Sequence, residues 1–285
     1  MEKQKTFLVT GANDGIGKET ARHFAGMGAR VVMICRSQER GETAKKEIIE
    51  STGNENVHLY LADLASQNQI REACKAIIQD IDSIDVLVNN AGFMGYPERQ
   101  LTEDGIESTF AVNHLGPFMI TNLLFPLLRN TDNARIVNVS SVAHKLGEFD
   151  EDNLQLDQKY KAFQAYSNSK LMNILFTREL GDRIKDTGIT TNCLDPGKVY
   201  TGIGKTYSKF FQFLFKIASP FLLTPKQGAQ TSIYLSLSPE VSSTSGEYFV
   251  KKKITSTAKK TWDKEDMKRL WEISTSLTGM EGQTV

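Results

Sequence analysis

The amino-acid sequence predicts a single α/β domain in which a doubly wound parallel sheet carries helices on both faces. Short apolar and β-branched runs alternate along the chain with stretches of helical period, which is typical of consecutive βαβ units. Three glycines, Gly11, Gly15 and Gly17, stand between the first such strand and the first helix. Because ligands of these sheets lie beyond the carboxyl ends of the strands, we expect the functional residues at those ends.

The composition is that of an ordinary globular protein. The chain has 285 residues, and 34 Lys and Arg balance 34 Asp and Glu, so it lacks the basic excess of nucleic-acid-binding proteins. Cys35, Cys74 and Cys193 lack metal-ligand spacing, so we predict buried thiols and no metal site. The N-terminus runs directly into an apolar strand, and no apolar run reaches about 18 residues. We therefore expect a soluble, cytoplasmic protein.

The predicted first strand, residues 6–10, leads through the glycine-rich turn into a helix over residues 18–27. Glycines at this place permit a tight turn, let the backbone approach a pyrophosphate and set the anion at a helix N-terminus. We therefore predict a dinucleotide site, the alternative being a glycine-rich turn without a ligand. The predicted contacts are Gly11, Asn13, Asp14, Gly15, Ile16 and Gly17.

Arg36 follows the predicted second strand, Arg30–Cys35. A site for NAD would place Asp or Glu here to bind the ribose 2′-hydroxyl, whereas an arginine accommodates a 2′-phosphate. The sequence therefore favours NADP(H), with NAD(H) as the second choice and a plain surface arginine as the alternative. Arg40, one turn into the helix predicted over residues 38–51, is placed to reach the same phosphate.

Two further strand ends extend the predicted cofactor groove. Asp63 follows the strand over residues 56–61, where it can accept from an adenine amino group or cap the next helix, residues 66–80; the sequence favours neither. The strand over residues 84–88 is followed by small and amide residues that can line a groove. The contacts predicted here are Asp63, Leu64, Asn90, Ala91 and Gly92.

Candidates for catalysis come later in the chain. Residues 101–113 and 114–129 have helical period. Asn113 lies near their junction in an apolar stretch, where an asparagine usually makes a specific hydrogen bond. Ser141 follows a strand over residues 135–140, and residues 142–159 are predicted to be irregular. Tyr166 and Lys170 then lie one turn apart on a helix that ends near residue 184. An ammonium close to a phenol lowers the pKa of the phenol, which suits proton transfer near neutral pH.

The last part of the chain contains the stretch that the sequence defines least. A strand over residues 189–194 is followed by Asp195, Pro196 and Gly197, and residues 198–224 are then rich in aromatic side chains. This stretch can be helical core, a lid over an apolar substrate, or, through residues 210–223, a patch that contacts a membrane. A helix over residues 225–237, a strand over 245–250 and an amphipathic helix over 262–277 complete the prediction.

Taken together, these motifs resemble the classical short-chain dehydrogenase/reductase family, and the resemblance covers nearly the whole chain. It rests on residues 10–17, on residues 89–92, and on the set Asn113, Ser141, Tyr166 and Lys170. The softer motifs at residues 35–37, 112–118, 139–144, 245–249 and 270–274 resemble the retinol dehydrogenase-like branch. The resemblance implies a Rossmann-type sheet, with a cofactor-binding half of about residues 1–130 and a catalytic and substrate-binding half of about residues 131–285.

The resemblance also implies the roles of the residues. Tyr166 would be the general acid and base, Lys170 would lower its pKa and hold the nicotinamide ribose hydroxyls, Ser141 would orient the substrate carbonyl, and Asn113 would support a water chain from Lys170 to solvent. Further cofactor contacts follow the sixth strand: Pro196, Gly197, Val199 and Thr201.

Two residues depart from the branch. Asp14 stands where Ser is common, and its carboxylate should repel a phosphate unless it faces solvent or caps the helix; Asp195 replaces the usual His, so substrate preference stays open. We expect an NADP(H)-dependent enzyme that interconverts an alcohol and a carbonyl on an apolar substrate: a retinoid, lipid aldehyde, steroid or xenobiotic carbonyl. The alternative is an inactive NADP(H)-binding sensor or scaffold. A homodimer is compatible with either function.

Overall fold

The computed structural model describes residues 4–199 and 222–285. The first half of the fold comprises β1 (Thr6–Thr10), α1 (Gly15–Gly26), β2 (Arg30–Cys35), α2 (Gln38–Thr52), β3 (Val57–Leu61), α3 (Gln67–Asp80), β4 (Val86–Asn89), α4 (Ser108–Phe110), a π-helical turn (Ala111–Leu115), α5 (Gly116–Leu123) and α6 (Phe125–Arg129). The second half comprises β5 (Arg135–Val139), α7 (Ala162–Arg183), β6 (Thr190–Asp195), α8 (Pro225–Gly228), α9 (Gln230–Leu237), β7 (Tyr248–Val250), β8 (Lys253–Ile254) and α10 (Lys264–Thr278). Short 3₁₀ turns lie at Val142–Leu146, Glu151–Asn153, Pro239–Val241 and Lys259–Trp262.

The strands form one sheet in the order β3-β2-β1-β4-β5-β6-β7-β8. All neighbours pair in parallel except β7 and β8, which form an antiparallel hairpin. The chain reverses its direction of winding between β1 and β4, and such a switch point leaves a crevice at the carboxyl ends of the strands. The predicted doubly wound α/β fold is therefore confirmed.

Both faces of the sheet are buried, which explains why its strands read as continuous apolar runs. Leu8 points into one core cluster with Ile77 and Phe118, whereas its neighbour Val9 points into the other with Phe24. This alternation is the two-residue period of a strand. The helices on both faces thus fix the positions of the strand ends, where the candidate residues lie.

The prediction of a helix over residues 101–113 was wrong for the first half of this range, because helical structure begins only at Ser108. Leu101 instead forms an antiparallel bridge to Glu107, and the connecting turn contains Gly105 with a φ of 74°. The Glu107 carboxylate then accepts from the backbone N–H groups of Thr109 and Phe110, so this residue caps the helix.

Other boundaries differ by smaller amounts. α1 begins at Gly15 rather than at residue 18 because Asp14 is its N-cap, and α10 begins at Lys264 because Asp263 caps it. The stretch predicted to be irregular after Ser141 contains two 3₁₀ turns. Most of the aromatic stretch, including Thr201 and residues 210–221, lies outside the described residues, so its three alternatives stay open.

Candidate functional site

The glycine-rich turn packs tightly against the loop after β4. A Cβ atom at Gly17 would lie 2.4 Å from both the Gly11 carbonyl oxygen and Asn90 Nδ2, so only glycine fits there. Thr10 holds the same loop, because its Oγ1 accepts from the N–H groups of Asn90 and Ala91 at 3.0 Å each. Sequence reasoning missed this contact of Thr10, for which the only signal was a hydroxyl at the end of an apolar strand.

Asp14 has two partners at the mouth of the turn. Its Oδ1 accepts from the backbone N–H of Gly15 at 2.8 Å, and its Oδ2 lies 3.0 Å from Arg40 Nη2. From the sequence, Asp14 was expected to repel a phosphate unless it caps the helix, and it does cap α1. Its carboxylate also pairs with the Arg40 guanidinium, which further reduces that repulsion.

Arg36 and Asp63 lie together at the ends of β2 and β3. Their closest atoms, Arg36 Nη1 and Asp63 Oδ2, are 3.8 Å apart, and the arginine side chain is exposed. One of the two interpretations of Asp63, that it caps α3, is wrong. Ser66 is the N-cap of this helix, because its side chain accepts from the N–H of Gln69. Asp63 instead accepts from the N–H of Ala65 at 3.0 Å, and it lines a cavity at the carboxyl ends of the strands.

Lys170 is buried, and Tyr166 is half-buried on the preceding turn of α7. Lys170 Nζ donates to the Val139 carbonyl at 2.9 Å and lies 5.6 Å from the centre of the Tyr166 ring. Burial lowers the pKa of Lys170 to about 8, and the carboxylate of Asp195 opposes that shift. The spacing predicted from the sequence therefore places an ammonium near a phenol, as expected.

Asn113 lies in the π-helical turn, a distortion often found at functional sites. Its Nδ2 donates to the Phe93 carbonyl and to Ser169 Oγ at 2.9 Å each, and its Oδ1 accepts from the Phe93 N–H at 3.0 Å. A Cβ atom at Gly92 would lie 3.1 Å from Asn113 Oδ1 and 3.3 Å from Lys170 Nζ, so these three residues meet.

Ser141 follows β5 and begins the 3₁₀ turn Val142–Leu146. Its Oγ accepts from the N–H of Ala143 at 3.2 Å, and its carbonyl lies 2.7 Å from Nδ1 of the buried His144. The preceding Ser140 donates from Oγ to the Lys170 carbonyl at 2.7 Å, which ties β5 to α7. His144 belongs to the motif at residues 139–144, but its contact with Ser141 was not predicted from the sequence.

One cavity of about 450 Å³ joins most of these residues at the carboxyl edge of the sheet. The predicted residues that line it are Gly11, Asn13, Asp14, Gly15, Ile16, Arg36, Arg40, Asp63, Leu64, Asn90, Ala91, Gly92, Tyr166, Lys170 and Pro196. Gly17, Asn113, Ser141, Gly197 and Val199 are not part of this lining, and Thr201 lies outside the described residues. Phe93 and Tyr96 also line it and were not predicted.

Among residues 4–199 and 222–285, no three His, Cys, Asp or Glu side chains come close enough to hold a metal ion. No helix among the described residues combines the length and the hydropathy needed to cross a bilayer.

The chain is similar in sequence to known proteins. A sequence profile of the family described as short chain dehydrogenase matches residues 5–210. Human retinol dehydrogenase 11 is 42% identical over 276 residues, covering 97% of this chain and 86% of that protein. Mouse retinol dehydrogenase 14 is 42% identical over 289 residues, with coverage of 97% and 86%.

Solved structures share the fold. An uncharacterized protein from Mycobacterium paratuberculosis superposes with a TM-score of 0.78 at 31% identity, covering 97% of this chain and 94% of that one. A short chain dehydrogenase from Escherichia coli CFT073, complexed with NADPH, gives a TM-score of 0.68 at 25% identity, with coverage of 86% and 95%.

Proposed function

Because the chain belongs to the short chain dehydrogenase family, we propose that it is an NADP(H)-dependent oxidoreductase that interconverts an alcohol and a carbonyl group. One observation carries this proposal: Tyr166 and Lys170 line the same cavity as the glycine-rich turn. A proton-transfer pair and a phosphate cradle in one cavity are what hydride-transfer chemistry requires of a protein.

The residues of the cavity fit a dinucleotide phosphate. The turn after β1 offers backbone N–H groups at the start of α1 for a pyrophosphate. Arg36 and Arg40 both line the cavity and have exposed side chains, which suits a 2′-phosphate, and Asp63 offers an acceptor for an adenine amino group. The NADPH bound to the Escherichia coli relative supports the choice of NADP(H). When bound, the nicotinamide supplies or accepts the hydride.

Side chains of this protein carry out the proton transfer of the proposed reaction. A charged Lys170 near the Tyr166 ring stabilises the phenolate, so Tyr166 can protonate a developing alkoxide and can take the proton back in the reverse direction. Ser141 Oγ already accepts from Ala143, so its own O–H is left to donate to the substrate oxygen. Phe93 and Ser169 hold the side chain of Asn113, and we assign to Asn113 the support of a water path toward Lys170.

The proposed substrate is apolar. Val142 and Leu146, in the turn that follows Ser141, and Phe163, in the first turn of α7 before Tyr166, expose large parts of their side chains, which suits a hydrophobic ligand near this part of the chain. The names of the human and mouse relatives favour a retinol-type alcohol or its aldehyde. Lipid aldehydes, steroids and xenobiotic carbonyls complete the panel to be tested, and Asp195 leaves the preference among them open.

Replacing Tyr166 with Phe tests the reaction. NADPH oxidation is followed with retinaldehyde, a lipid aldehyde, a steroid ketone and a small carbonyl. We expect turnover to fall by about a hundredfold or more, because general acid catalysis is lost, while NADPH affinity stays similar. Tyr234→Phe, which removes a surface hydroxyl bonded to Glu240, is the matched control.

Unchanged turnover in Tyr166→Phe would refute the proposed mechanism. If the unmodified chain binds NADPH but turns over no member of the panel, the inactive sensor is favoured instead. A cytoplasmic location and a homodimer stay predictions, as does membrane contact through residues 210–223, most of which lie outside the described residues.

A further inference from the structure

Two segments of the chain form one surface beside Ser141. The first is residues 142–147, which follow Ser141 directly, and the second is residues 251–262, near the C-terminus. Lys260 Nζ donates to the carbonyl of Gly147, which joins the two segments. We call this surface the docking face.

Further contacts hold the docking face against α7 and the sheet. The His144 ring packs edge-on against Tyr248 of β7, with ring centres 5.0 Å apart. Gln164 in the first turn of α7 donates to the Leu146 carbonyl at 3.0 Å. The docking face thus lies next to Ser141 and to the first turn of α7, which precedes Tyr166.

The docking face is basic although the whole chain is neutral. Its two segments contain six lysines and no acidic residue, while the chain as a whole balances 34 basic against 34 acidic residues. None of the six makes an ion pair with any other described residue. These lysines are Lys145, Lys251, Lys252, Lys253, Lys259 and Lys260.

Two of the lysines stand where the backbone disfavours them. Lys251 and Lys252 form the two-residue turn between β7 and β8 and have φ values of 49° and 65°. Such a hairpin turn prefers Asn-Gly, because glycine has no Cβ and asparagine tolerates positive φ, whereas a lysine is strained there. Strain of this kind often marks a functional site, and here it places two ammonium groups at the exposed tip of the sheet edge.

Apolar side chains stand among the lysines. Leu146 is 61% exposed, Ile254 59% and Trp262 55%. The guanidinium of buried Arg178 lies 3.5 Å from the centre of the Trp262 ring, so the indole is held in place at the surface. Lysines mixed with tryptophan and aliphatic side chains are typical of surfaces that contact the headgroup region of a bilayer.

We propose that the docking face binds the surface of an anionic lipid bilayer and sets the cavity mouth against it. Charge complementarity carries the choice of partner, since clustered lysines are attracted to anionic headgroups and the exposed apolar side chains can enter the interface. An apolar substrate dissolved in the bilayer would then reach Ser141 and Tyr166 without crossing water. That benefit depends on the proposed reaction, whereas the binding itself does not.

Sedimentation of the full chain with vesicles tests the binding without any substrate. We expect association with vesicles of phosphatidylcholine and phosphatidylserine, little with phosphatidylcholine alone, and weakening by added salt. Reversing the three lysines at the hairpin, with Lys251→Glu, Lys252→Glu and Lys253→Glu, should lower the partition coefficient by about a hundredfold or more. The control combines Lys46→Glu, Lys75→Glu and Lys185→Glu outside the docking face; it changes the net charge equally and should stay within about threefold of the unmodified chain.

Tryptophan fluorescence provides a second readout. The chain has two tryptophans, of which Trp262 is exposed and Trp271 is buried. Anionic vesicles should shift the emission to shorter wavelength, and Trp262→Phe should abolish that shift while most of the binding remains.

Four results would overturn the proposal: equal binding to neutral and anionic vesicles, equal losses in the two triple variants, an unshifted emission, or displacement by soluble glycerophosphoserine beyond the effect of salt. Turnover of a water-soluble carbonyl, measured on the same variants, reports separately on the reaction. Failure of the vesicle assay with intact turnover would therefore reject the docking face alone.

Discussion

The two ends of the cavity carry positive charge in opposite ways. At the cofactor end, exposed Arg36 and Arg40 each lie beside a carboxylate, at 3.8 Å and 3.0 Å. At the catalytic end, Lys170 is buried, donates to a neutral carbonyl and makes no ion pair with a described residue. Exposed ion pairs contribute little to stability, so a ligand can replace one partner at small cost. The pKa of a buried charged group, in contrast, is set mainly by the cost of removing the group from water. Changes at the catalytic end should therefore have the larger effects.

The largest effect is expected from Lys170→Met. This variant removes the charge that stabilises the Tyr166 phenolate, so carbonyl reduction should slow by about a hundredfold or more. Thermal unfolding should occur at no lower temperature than in the unmodified chain, because the substitution removes a buried ammonium whose pKa is already depressed. Lys161→Met, at an exposed position before α7, is the control. If Lys170→Met retained most of the activity, the expectation that the catalytic end of the cavity is the more sensitive one would be wrong.

Arg36→Ala probes the other end of the cavity. We expect NADPH to bind about tenfold more weakly, because a charge-assisted hydrogen bond to the 2′-phosphate is lost, while NADH affinity changes by no more than about twofold. Fluorescence titration with both cofactors measures this, and Arg129→Ala, exposed at the end of α6, serves as the control. An equal loss for both cofactors would remove Arg36 as the basis of an NADP(H) preference.

Asp195→Asn tests whether a carboxylate sets the charge of Lys170. The negative charge raises the pKa of Lys170 against the larger effect of burial, so its removal should lower that pKa further below about 8. Because reduction needs the charged lysine, activity should fall as pH rises through about 8 in the unmodified chain and at a pH lower by about half a unit in the variant. His144 and Tyr248 also sense this carboxylate.

Asparagine is the appropriate replacement because its side-chain oxygen can still accept from the N–H of Gly197, as Asp195 Oδ1 does at 2.9 Å. Asp186→Asn, an exposed change after α7, controls for net charge. The pH profile of kcat is the decisive measurement, since a loss of rate without a displaced profile would mean that Asp195 has only a structural role.

The sequence predicted the strands of this fold better than the pairing of its charges. Continuous apolar runs predict buried parallel strands, and the ends of those strands are fixed by the sheet, so Arg36, Asp63 and Ser141 could be placed at one edge. The contact between Asp14 and Arg40 joins residues 26 positions apart at the N-terminal ends of two helices, and no local pattern predicts it. The false helical start before Ser108 has a similar cause, since apolar period cannot reveal a capping carboxylate.

The smallest effect is expected from Asp14→Ser, which tests whether the Asp14–Arg40 pair tunes cofactor choice. Serine can still cap α1, so the helix should be preserved. Removing the carboxylate frees Arg40 for a 2′-phosphate and relieves repulsion near the pyrophosphate, which is common to both cofactors. NADPH should bind about two- to fivefold more tightly, the range expected for an exposed ion pair, and NADH should gain less.

Added salt should reduce the gain from Asp14→Ser, because the pair is exposed. The double variant Asp14→Ser with Arg40→Ala separates the two causes: if the gain for NADPH disappears in the Arg40→Ala background, release of Arg40 was responsible. Weaker NADPH binding in Asp14→Ser alone would instead mean that Asp14 holds Arg40 in the position that the phosphate needs, so the exposed end of the cavity would be as pre-organised as the buried one.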